Sequence, residues 1–361
     1  MEKQTVLYIS YVDENELSSG SGVRPAKMLK AFRDLGYDMI VLSGEQTSKQ
    51  RVRRIREVLG KIRERKPDLC YIESPTYPIM RHEDRRLIRT IHKMGIPMGY
   101  FYRDFYRRFP EEFPRRSTLS GRIKDFALDV LQDLTDRCLK NCDIVYVPSR
   151  EAAGILPYKD VRPLPPAGEN HLPAAMKPLN RTAIYVGGLA GAYNIQLILD
   201  AFALLDKQEN RCELIVVCRE KEWEQLSHPC KDADWLKVYH VSGKELGALY
   251  ERASVALSAK ACTPYNEFAV SVKTFEYLSY GLPQIVNRAK AITELIESEG
   301  IGLSVEPTPQ AFAQALISLF EDPERYRQLQ GQLRRSLLER NLWTHRARTV
   351  VEDLTGPERR N

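Results

Sequence analysis

The sequence predicts an α/β protein built from two doubly wound parallel sheets. Short apolar runs, typical of buried strands, alternate with amphipathic helical patterns, and this alternation favours parallel strands covered by helices. The alternation pauses once, in a weakly patterned, proline-rich stretch at residues 157–178, and then restarts. Because 361 residues exceed what one ordinary core holds, we predict one sheet on each side of that stretch, which we interpret as an interdomain linker.

The first half of the chain predicts five strands, each followed by a helix. Helix-stopping residues, Gly36, Pro67 and Gly95, follow the first three helical patterns. The predicted strands are Val6–Ser10, Met39–Ser43, Leu69–Glu73, Met98–Tyr102 and Ile144–Val147. The predicted helices are Arg24–Leu35, Lys49–Arg65, His82–Lys93, Leu119–Leu139 and a short one near Arg150–Leu156.

The second half predicts six strands with the same alternation. The predicted strands are Ala183–Val186, Glu213–Cys218, Leu236–His240, Val255–Ser258, Gln284–Val286 and Gly302–Val305. The predicted helices are Asn194–Leu205, Glu220–Leu226, Gly243–Arg252, one within residues 265–281, Ile292–Ser298, Gln310–Phe320 and Pro323–Arg340. This repetition of strand and helix indicates a second domain of the same class as the first.

Composition argues for a cytoplasmic protein in a reducing compartment. No segment approaches the roughly 20 apolar residues that span a bilayer. The N-terminus enters a strand almost at once and lacks the pattern of a signal peptide. The seven cysteines form no Cys-x-x-Cys pair, and we interpret them as small core residues.

Positive charge is concentrated in the first 150 residues. They hold 29 Lys/Arg against 21 Asp/Glu, a balance of +8, whereas the whole chain carries +6. A cluster between Arg103 and Lys124 is interleaved with aromatic residues, which suits a lipid headgroup interface or a stacked ligand, and equally local packing under a loop. The arginine-rich run at residues 51–56 is interpreted as a solvated surface. No nucleic-acid-binding module is recognisable.

The segment at residues 265–286 carries the strongest functional signal. It reads as a loop, a helix, Gly-Leu-Pro and then a buried strand, with Lys273 and Glu276 on one face of the helix's first turns. A helix N-terminus attracts phosphate, a nearby lysine adds positive charge, and a carboxylate one turn later can accept hydrogen bonds from sugar hydroxyls. The alternative is an amphipathic helix with a surface Lys–Glu pair.

This segment resembles the donor-binding segment of retaining glycosyltransferases of the GT-B fold, the family-four type. The resemblance implies two Rossmann-like domains facing a cleft, with a last helix that contains Trp343 and crosses back to the first domain. The domains would be residues 1–165 with helix 343–361, which bind the acceptor, and residues 166–342, which bind the nucleotide sugar. The resemblance also implies transfer with retention of anomeric configuration and without a metal cofactor.

On the donor side, the resemblance assigns Glu276 to the ribose and Lys273 to the leaving diphosphate. The family carries an earlier glutamate eight residues before Glu276, but Phe268 stands there, and Glu267 is displaced by one position. The backbone of Phe268, Ala269 and Val270 would lie where the phosphates bind.

Two glycine-rich loops complete the expected donor site. The first contains Gly20 and Gly22, with Arg24 just beyond, and the resemblance puts it near the phosphates and acceptor. The second contains Gly187 and Gly188, whose backbone N–H groups could meet the diphosphate. The family has an arginine at Gly188 and a lysine shortly after it, and this chain has neither. Lys273, with Arg219 after the next strand, is therefore the cation expected there. A flexible turn and a plain strand-to-helix turn are the alternatives.

Arg103 and Asp104 are the acceptor-side candidates. They follow a predicted strand, where parallel sheets place ligands, and an aspartate there could orient or deprotonate an acceptor hydroxyl. A structural Arg–Asp pair is the alternative. The histidine of many relatives is absent, because Tyr102 precedes the pair. Asp232-Ala-Asp234 matches the metal motif of other glycosyltransferases but precedes a strand, so we expect a surface loop and no metal site.

The expected function is hexosyl transfer from a nucleotide sugar, such as a UDP-sugar, to a saccharide or polyprenyl-linked acceptor in polysaccharide or glycoconjugate biosynthesis. The basic, aromatic first domain suggests peripheral contact with the inner face of the plasma membrane. The alternatives are a sugar-nucleotide epimerase, a non-catalytic nucleotide-binding partner of the same fold, and a nucleic-acid-binding protein.

Overall fold

A computed structural model describes residues 3–14, 20–191, 193–208 and 210–356. The chain divides into two compact units. Unit 1 comprises Met1–Pro166 with Trp343–Asn361, and unit 2 comprises Ala167–Leu342. The division between Pro166 and Ala167 falls one residue from the sequence-based boundary.

Unit 1 is a six-stranded parallel sheet with helices between its strands. The strands are β1 (Thr5–Ile9), β2 (Asp38–Leu42), β3 (Leu69–Glu73), β4 (Met98–Phe101), β5 (Ile144–Val147) and β6 (Val161–Pro163). The helices are α1 (Gly20–Asp34), α2 (Arg51–Glu64), α3 (His82–Lys93), α4 (Leu119–Leu139) and α5 (Arg150–Ala153), with a 3-10 turn at Tyr106–Arg108. The strand order is β2-β1-β3-β4-β5-β6, so the chain reverses its direction of growth between β1 and β3.

Central strands of unit 1 are buried because helices cover both faces of the sheet, which is why they read as apolar runs. All residues of β1, β3, β4 and β5 are buried. The pairing Tyr8–Tyr71 in the register of β1 and β3 places two large rings side by side, 5.9 Å apart. Phe32 of α1 packs on both rings.

Three sequence-based expectations in unit 1 are wrong. Helix α1 begins at Gly20, so Gly20 and Gly22 lie in its first turn and not in a loop; their poor helix propensity hid this start. Residues 161–163 of the expected linker form edge strand β6, where the missing N–H of Pro163 is tolerated. Arg51, expected on the surface, is buried in an ion pair with Asp84 at 2.9 Å.

The last helix, α13 (Trp343–Thr355), packs on unit 1, as predicted. Its buried face includes Trp343, Val350 and Leu354. The guanidinium of Arg346 donates to the Pro165 and Pro166 carbonyls at 3.0–3.2 Å. The chain therefore leaves unit 1, forms unit 2 and returns to complete the first core.

Unit 2 is a second six-stranded parallel sheet. Its strands are β7 (Thr182–Val186), β8 (Glu213–Val217), β9 (Leu236–Tyr239), β10 (Val255–Ser258), β11 (Gln284–Asn287) and β12 (Gly302–Val305), in the order β12-β11-β10-β7-β8-β9. The helices are α6 (Ile195–Lys207), α7 (Glu220–Gln225), α8 (Gly243–Arg252), α9 (Val272–Ser279), α10 (Lys290–Glu299), α11 (Pro309–Phe320) and α12 (Pro323–Arg340), with a 3-10 turn at Pro264–Glu267. Growth of this sheet reverses between β7 and β10.

Candidate functional site

The reversal point of the second sheet is where the candidate site is built. In open α/β sheets, ligands bind beyond the carboxyl ends of the strands at the point where strand order reverses. Gly187 and Gly188 directly follow β7, and Lys260 lies two residues after the end of the neighbouring strand β10. The two loops touch, because Tyr193 and Lys260 form a β-bridge and the Asn194 N–H donates to the Ala259 carbonyl.

The glycine loop after β7 is more constrained than its sequence suggests. The Gly187 N–H donates to the Val217 carbonyl at 3.0 Å, so the expectation that it is available to a diphosphate is wrong. It extends the ladder between β7 and β8. The Tyr193 ring packs against Gly188: a Cβ at position 188 would lie 2.8 Å from the ring, so a side chain there would require the partly exposed tyrosine to shift.

Glu222 of α7 holds this loop in place. One carboxylate oxygen accepts a hydrogen bond from the Leu189 N–H at 2.8 Å, and the other accepts one from Arg219 at 3.0 Å. The Arg219 side chain is otherwise open to solvent, 83% exposed, at the carboxyl end of β8. Arg219 therefore lies close to the glycine loop through a shared carboxylate.

Helix α9 carries the Lys273–Glu276 pair at its N-terminus. The Ser271 hydroxyl caps the helix by accepting from the Lys273 N–H at 3.2 Å. The Lys273 ammonium lies 2.6 Å from a Glu276 carboxylate oxygen, which also accepts from the Tyr250 hydroxyl at 3.0 Å. Burial, reinforced by the charge of Glu276, raises the pKa of Tyr250 well above its usual value, so the phenol stays protonated as a donor.

Several polar groups of the loop preceding α9 are hydrogen-bonded to other groups of unit 2. The Glu267 carboxylate accepts from the Lys290 N–H at 2.9 Å, so it caps α10 and does not project freely. The N–H groups of Phe268 and Ala269 donate to the Asn266 carbonyl. Phe268 is buried with its ring against Tyr265. Val270 packs at the edge of the apolar cluster beneath α9.

Lys260 is a residue that sequence reasoning missed. Its backbone N–H donates to the Asn287 side chain at 2.7 Å, while in the described part of the chain its ammonium group has no hydrogen bond or ion pair. Burial lowers the pKa of this ammonium to about 8. The side chain lines a cavity of about 10 Å³, room for about one water molecule, that is also lined by Ser271 and Thr274 at the start of α9. A lone lysine after a strand has no sequence signature.

In unit 1, Arg103 and Asp104 follow β4 and bind each other. The Arg103 Nε lies 2.9 Å from an Asp104 carboxylate oxygen, and both side chains are mostly buried. The Arg103 N–H donates to the Ser74 hydroxyl, and its guanidinium donates to Thr76, both in the loop after β3. The ion pair thus ties together two loops at the carboxyl ends of neighbouring strands.

Arg24 is not available to a ligand, contrary to expectation. It is 2% exposed, and its guanidinium binds the Glu73 carboxylate at 3.1 Å and the Leu164 carbonyl at 3.1 Å. The Phe101 ring lies 3.4 Å below it. Glu73 and Leu164 are distant in sequence, so only the folded chain brings them together with Arg24.

The described residues contain neither a cluster of metal ligands nor a membrane-spanning helix. In these residues no three His, Cys, Asp or Glu side chains come together as metal ligands. Asp232 and Asp234 are exposed in the loop before β9, at the opposite edge of the sheet from the candidate site. No helix in the described ranges has the length and apolar character to span a membrane.

Comparison with known proteins places the fold. Residues 180–322, most of unit 2, match the family model for glycosyl transferases group 1. No curated protein matches the sequence. Among solved structures, similar ones include an alpha-glucosyltransferase in complex with UDP and a 13-mer DNA containing a HMU base, with a TM-score of 0.64, 9% identity and coverage of 98% of this chain and 100% of that one.

Two further solved structures are also similar to this chain. WaaG, a glycosyltransferase involved in lipopolysaccharide biosynthesis, gives a TM-score of 0.62 at 14% identity, covering 97% of this chain and 100% of that one. The trehalose-6-phosphate synthase OtsA gives 0.63 at 12% identity, covering 98% and 99%. The predicted GT-B fold is confirmed, with its two six-stranded parallel sheets and covering helices. The family match in unit 2 supports a glycosyltransferase.

Proposed function

We propose that this protein is a metal-independent, retaining glycosyltransferase that moves a hexose from a nucleotide sugar to a saccharide or polyprenyl-linked acceptor. The observation that carries the proposal is the convergence at the reversal point of the second sheet. There, a glycine loop, the N-terminus of α9 and the cations Lys260 and Lys273 occur on neighbouring elements. Together they supply positive charge and the positive end of a helix dipole, both of which favour a nucleoside diphosphate.

On the donor side, Glu276 would accept hydrogen bonds from the ribose hydroxyls. Its carboxylate is already oriented by Tyr250 and Lys273, so little side-chain freedom is lost on binding. A UDP-sugar is the donor we favour, because the alpha-glucosyltransferase named above was solved in complex with UDP.

Catalysis would rest on stabilising the diphosphate as it leaves. Negative charge grows on the leaving group, and fixed positive charges in a site shielded from water lower the barrier most. Lys273, Lys260 and the α9 dipole would supply that charge. The departing diphosphate would then take the proton of the acceptor hydroxyl on the same face of the sugar, which retains the anomeric configuration.

On the acceptor side, Arg103 and Asp104 would orient the hydroxyl that attacks. Their mutual ion pair supports a positioning role, because the carboxylate of Asp104 is held by a neighbour at 2.9 Å. An acceptor hydroxyl could donate to the second carboxylate oxygen. In this proposal the acceptor is a saccharide, free or carried on a polyprenyl lipid, and its assembly into polysaccharide or glycoconjugate takes place on the cytoplasmic side of the membrane.

Nucleotide-dependent thermal stabilisation tests the donor site. Nucleoside diphosphates and nucleotide sugars would be added to wild type and to Glu276→Gln, with and without EDTA. A ligand at 100 times its dissociation constant adds about 2.7 kcal/mol of stability. We expect a shift with one nucleotide class that survives EDTA and is largely lost in Glu276→Gln. The matched control is Glu324→Gln, which breaks the exposed i,i+3 ion pair with Arg327 on α12.

The outcomes separate the rival functions. No shift with any nucleotide would contradict the donor site. A shift without release of nucleoside diphosphate, with any acceptor offered, would favour the non-catalytic partner. Conversion of the nucleotide sugar with no acceptor present would favour an epimerase.

A further inference from the structure

Helix α4 presents an apolar stripe to solvent. Among the described residues, ten large hydrophobic side chains are exposed, and seven of them fall between residues 106 and 134, which marks one patch and not a scatter. Five of the seven form the stripe: Leu119, Ile123, Phe126, Val130 and Leu134. Their exposed fractions run from 37% to 75%.

The stripe follows the helical period. At about 100° per residue, its five side chains fall within an arc of about 80°, and it extends about 22 Å along the helix axis. The other side of α4, which packs on the rest of unit 1, contains the buried residues Gly121, Asp125, Thr135, Cys138 and Leu139. Five long apolar side chains of this helix therefore face solvent, whereas in an ordinary surface helix such side chains face the core.

Ion pairs fasten the preceding loop to α4 and leave the stripe uncovered. Asp129 pairs with Arg107 and with Arg115, the latter at 3.2 Å. Asp125 pairs with Arg116 at 2.8 Å. The same loop carries Tyr106 and Phe113, whose rings meet at 4.7 Å and are partly exposed.

Exposed cations flank the stripe at both of its ends. At the N-terminal end, Arg122 and Lys124 are exposed and, within the described part of the chain, form no ion pair, while Asp125 and Asp129 are paired with arginines of the preceding loop. At the other end, Arg137 and Lys140 are exposed beside the exposed Asp133. The patch thus combines an apolar ridge, partly exposed aromatic rings in the adjoining loop and unneutralised cations.

We propose that the α4 stripe docks the protein on an anionic lipid bilayer. The helix would lie parallel to the surface with its apolar ridge in the acyl boundary and Arg122 and Lys124 among the headgroups. A second copy of this chain fits less well as the occupant. The first 150 residues of each copy carry a net charge of +8, so two copies that met at this surface would repel each other. The surface is separate from the donor site and needs no transfer chemistry to be tested.

Vesicle co-sedimentation with the full-length chain tests the docking. Vesicles of phosphatidylcholine alone are compared with vesicles containing 3:7 phosphatidylglycerol to phosphatidylcholine, without donor or acceptor. We expect wild type to bind the anionic vesicles more tightly. Ile123→Gln with Phe126→Gln should weaken binding at least tenfold, because each loses apolar area from the bilayer. Arg122→Gln with Lys124→Gln should weaken it about 25-fold, about fivefold per charge.

Matched controls separate docking from general stickiness. Met176→Gln removes another exposed apolar side chain, 58% exposed, in unit 2. Lys244→Gln with Arg335→Gln removes two exposed cations there. Both should bind like wild type. Circular dichroism should show all variants folded, since the altered side chains are at the surface.

Three results would overturn the proposal. The first is wild-type binding that does not exceed the background of uncharged vesicles. The second is equal loss in the stripe variants and the unit 2 controls. The third is a wild-type dimer by light scattering that becomes a monomer in Ile123→Gln with Phe126→Gln while vesicle binding is unchanged, which would identify a second copy as the occupant.

Discussion

Lys260, whose ammonium has no partner among the described residues, illustrates how a charge suited to ligand binding can lower stability. A partly buried ammonium with no protein acceptor destabilises the fold, since burial disfavours the charged form. The lowering of the Lys260 pKa to about 8 reflects this loss of free energy on burial. Such a residue is expected where a ligand later supplies the missing negative charge, and Lys260 lies beside the glycine loop and the start of α9.

We predict that Lys260→Met stabilises the free protein and weakens nucleotide binding. An unfolded lysine has its ordinary pKa of 10.5, so between pH 8 and 10.5 the unfolded state binds more protons and wild-type stability rises with pH. At pH 7 the variant should gain about 2 kcal/mol in the free energy of unfolding, and the gain should vanish near pH 10.5. Urea unfolding at several pH values measures it.

The same substitution should raise the dissociation constant for a nucleoside diphosphate tenfold or more, because a charge-assisted hydrogen bond is lost. Wild-type affinity should fall as pH rises through 8, where Lys260 loses its proton, and the variant should be insensitive over that range. A destabilised variant with unchanged nucleotide affinity would contradict both halves of this prediction.

At the scale of elements, helices α7 and α8 each contribute one side chain that fixes a neighbouring element. Glu222 of α7 holds the glycine loop, and Tyr250 of α8 holds Glu276 of α9. These contacts join elements that are far apart in sequence but adjacent at the carboxyl edge of the sheet. The proposed donor site is therefore supported by packing between helices, and not by its loops alone.

We predict that Tyr250→Phe raises the dissociation constant for the nucleotide about three- to tenfold. The change removes one hydrogen bond to the Glu276 carboxylate and leaves the ring packing in place. Isothermal titration calorimetry measures the effect. Tyr326→Phe is the matched control, because it removes a buried hydroxyl that donates to the Ser254 carbonyl and should not alter nucleotide affinity. Equal effects of the two variants would remove Tyr250 from the donor site.

At the scale of the whole molecule, the first unit is completed by the last helix. Leu354 of α13 is 1% exposed and lies next to β4, where a Cβ on Gly99 would meet its side chain at 3.3 Å. Asp353 accepts a hydrogen bond from Tyr146 at 3.0 Å. Residues 343–355 are thus a structural part of unit 1, although the 176 residues of unit 2 separate them from the rest of unit 1 in sequence.

We predict that Leu354→Ala lowers the free energy of unfolding of unit 1 by about 3 kcal/mol, through lost apolar burial and the cavity left behind. Differential scanning calorimetry should show an earlier transition, while the nucleotide-induced shift assigned to unit 2 persists. Leu119→Ala is the control, since Leu119 is 75% exposed and its loss should change stability by less than about 0.5 kcal/mol. Equal destabilisation by both would argue against the packing of α13 on unit 1.

The amino-acid sequence by itself determined the α/β class, the repeated sheet and most element boundaries, because parallel strands must be apolar on both faces and helices amphipathic. It also determined that Lys273 and Glu276 share a helical face, since their spacing is local. Only the tertiary structure decided which groups are free to act. Arg24 and the Gly187 N–H are hydrogen-bonded to residues distant in sequence, and Glu267 caps α10. The Lys260 ammonium has no partner in the described ranges, and α4 exposes an apolar stripe. Those outcomes depend on contacts between residues that are far apart in sequence, and no local sequence pattern predicts such contacts.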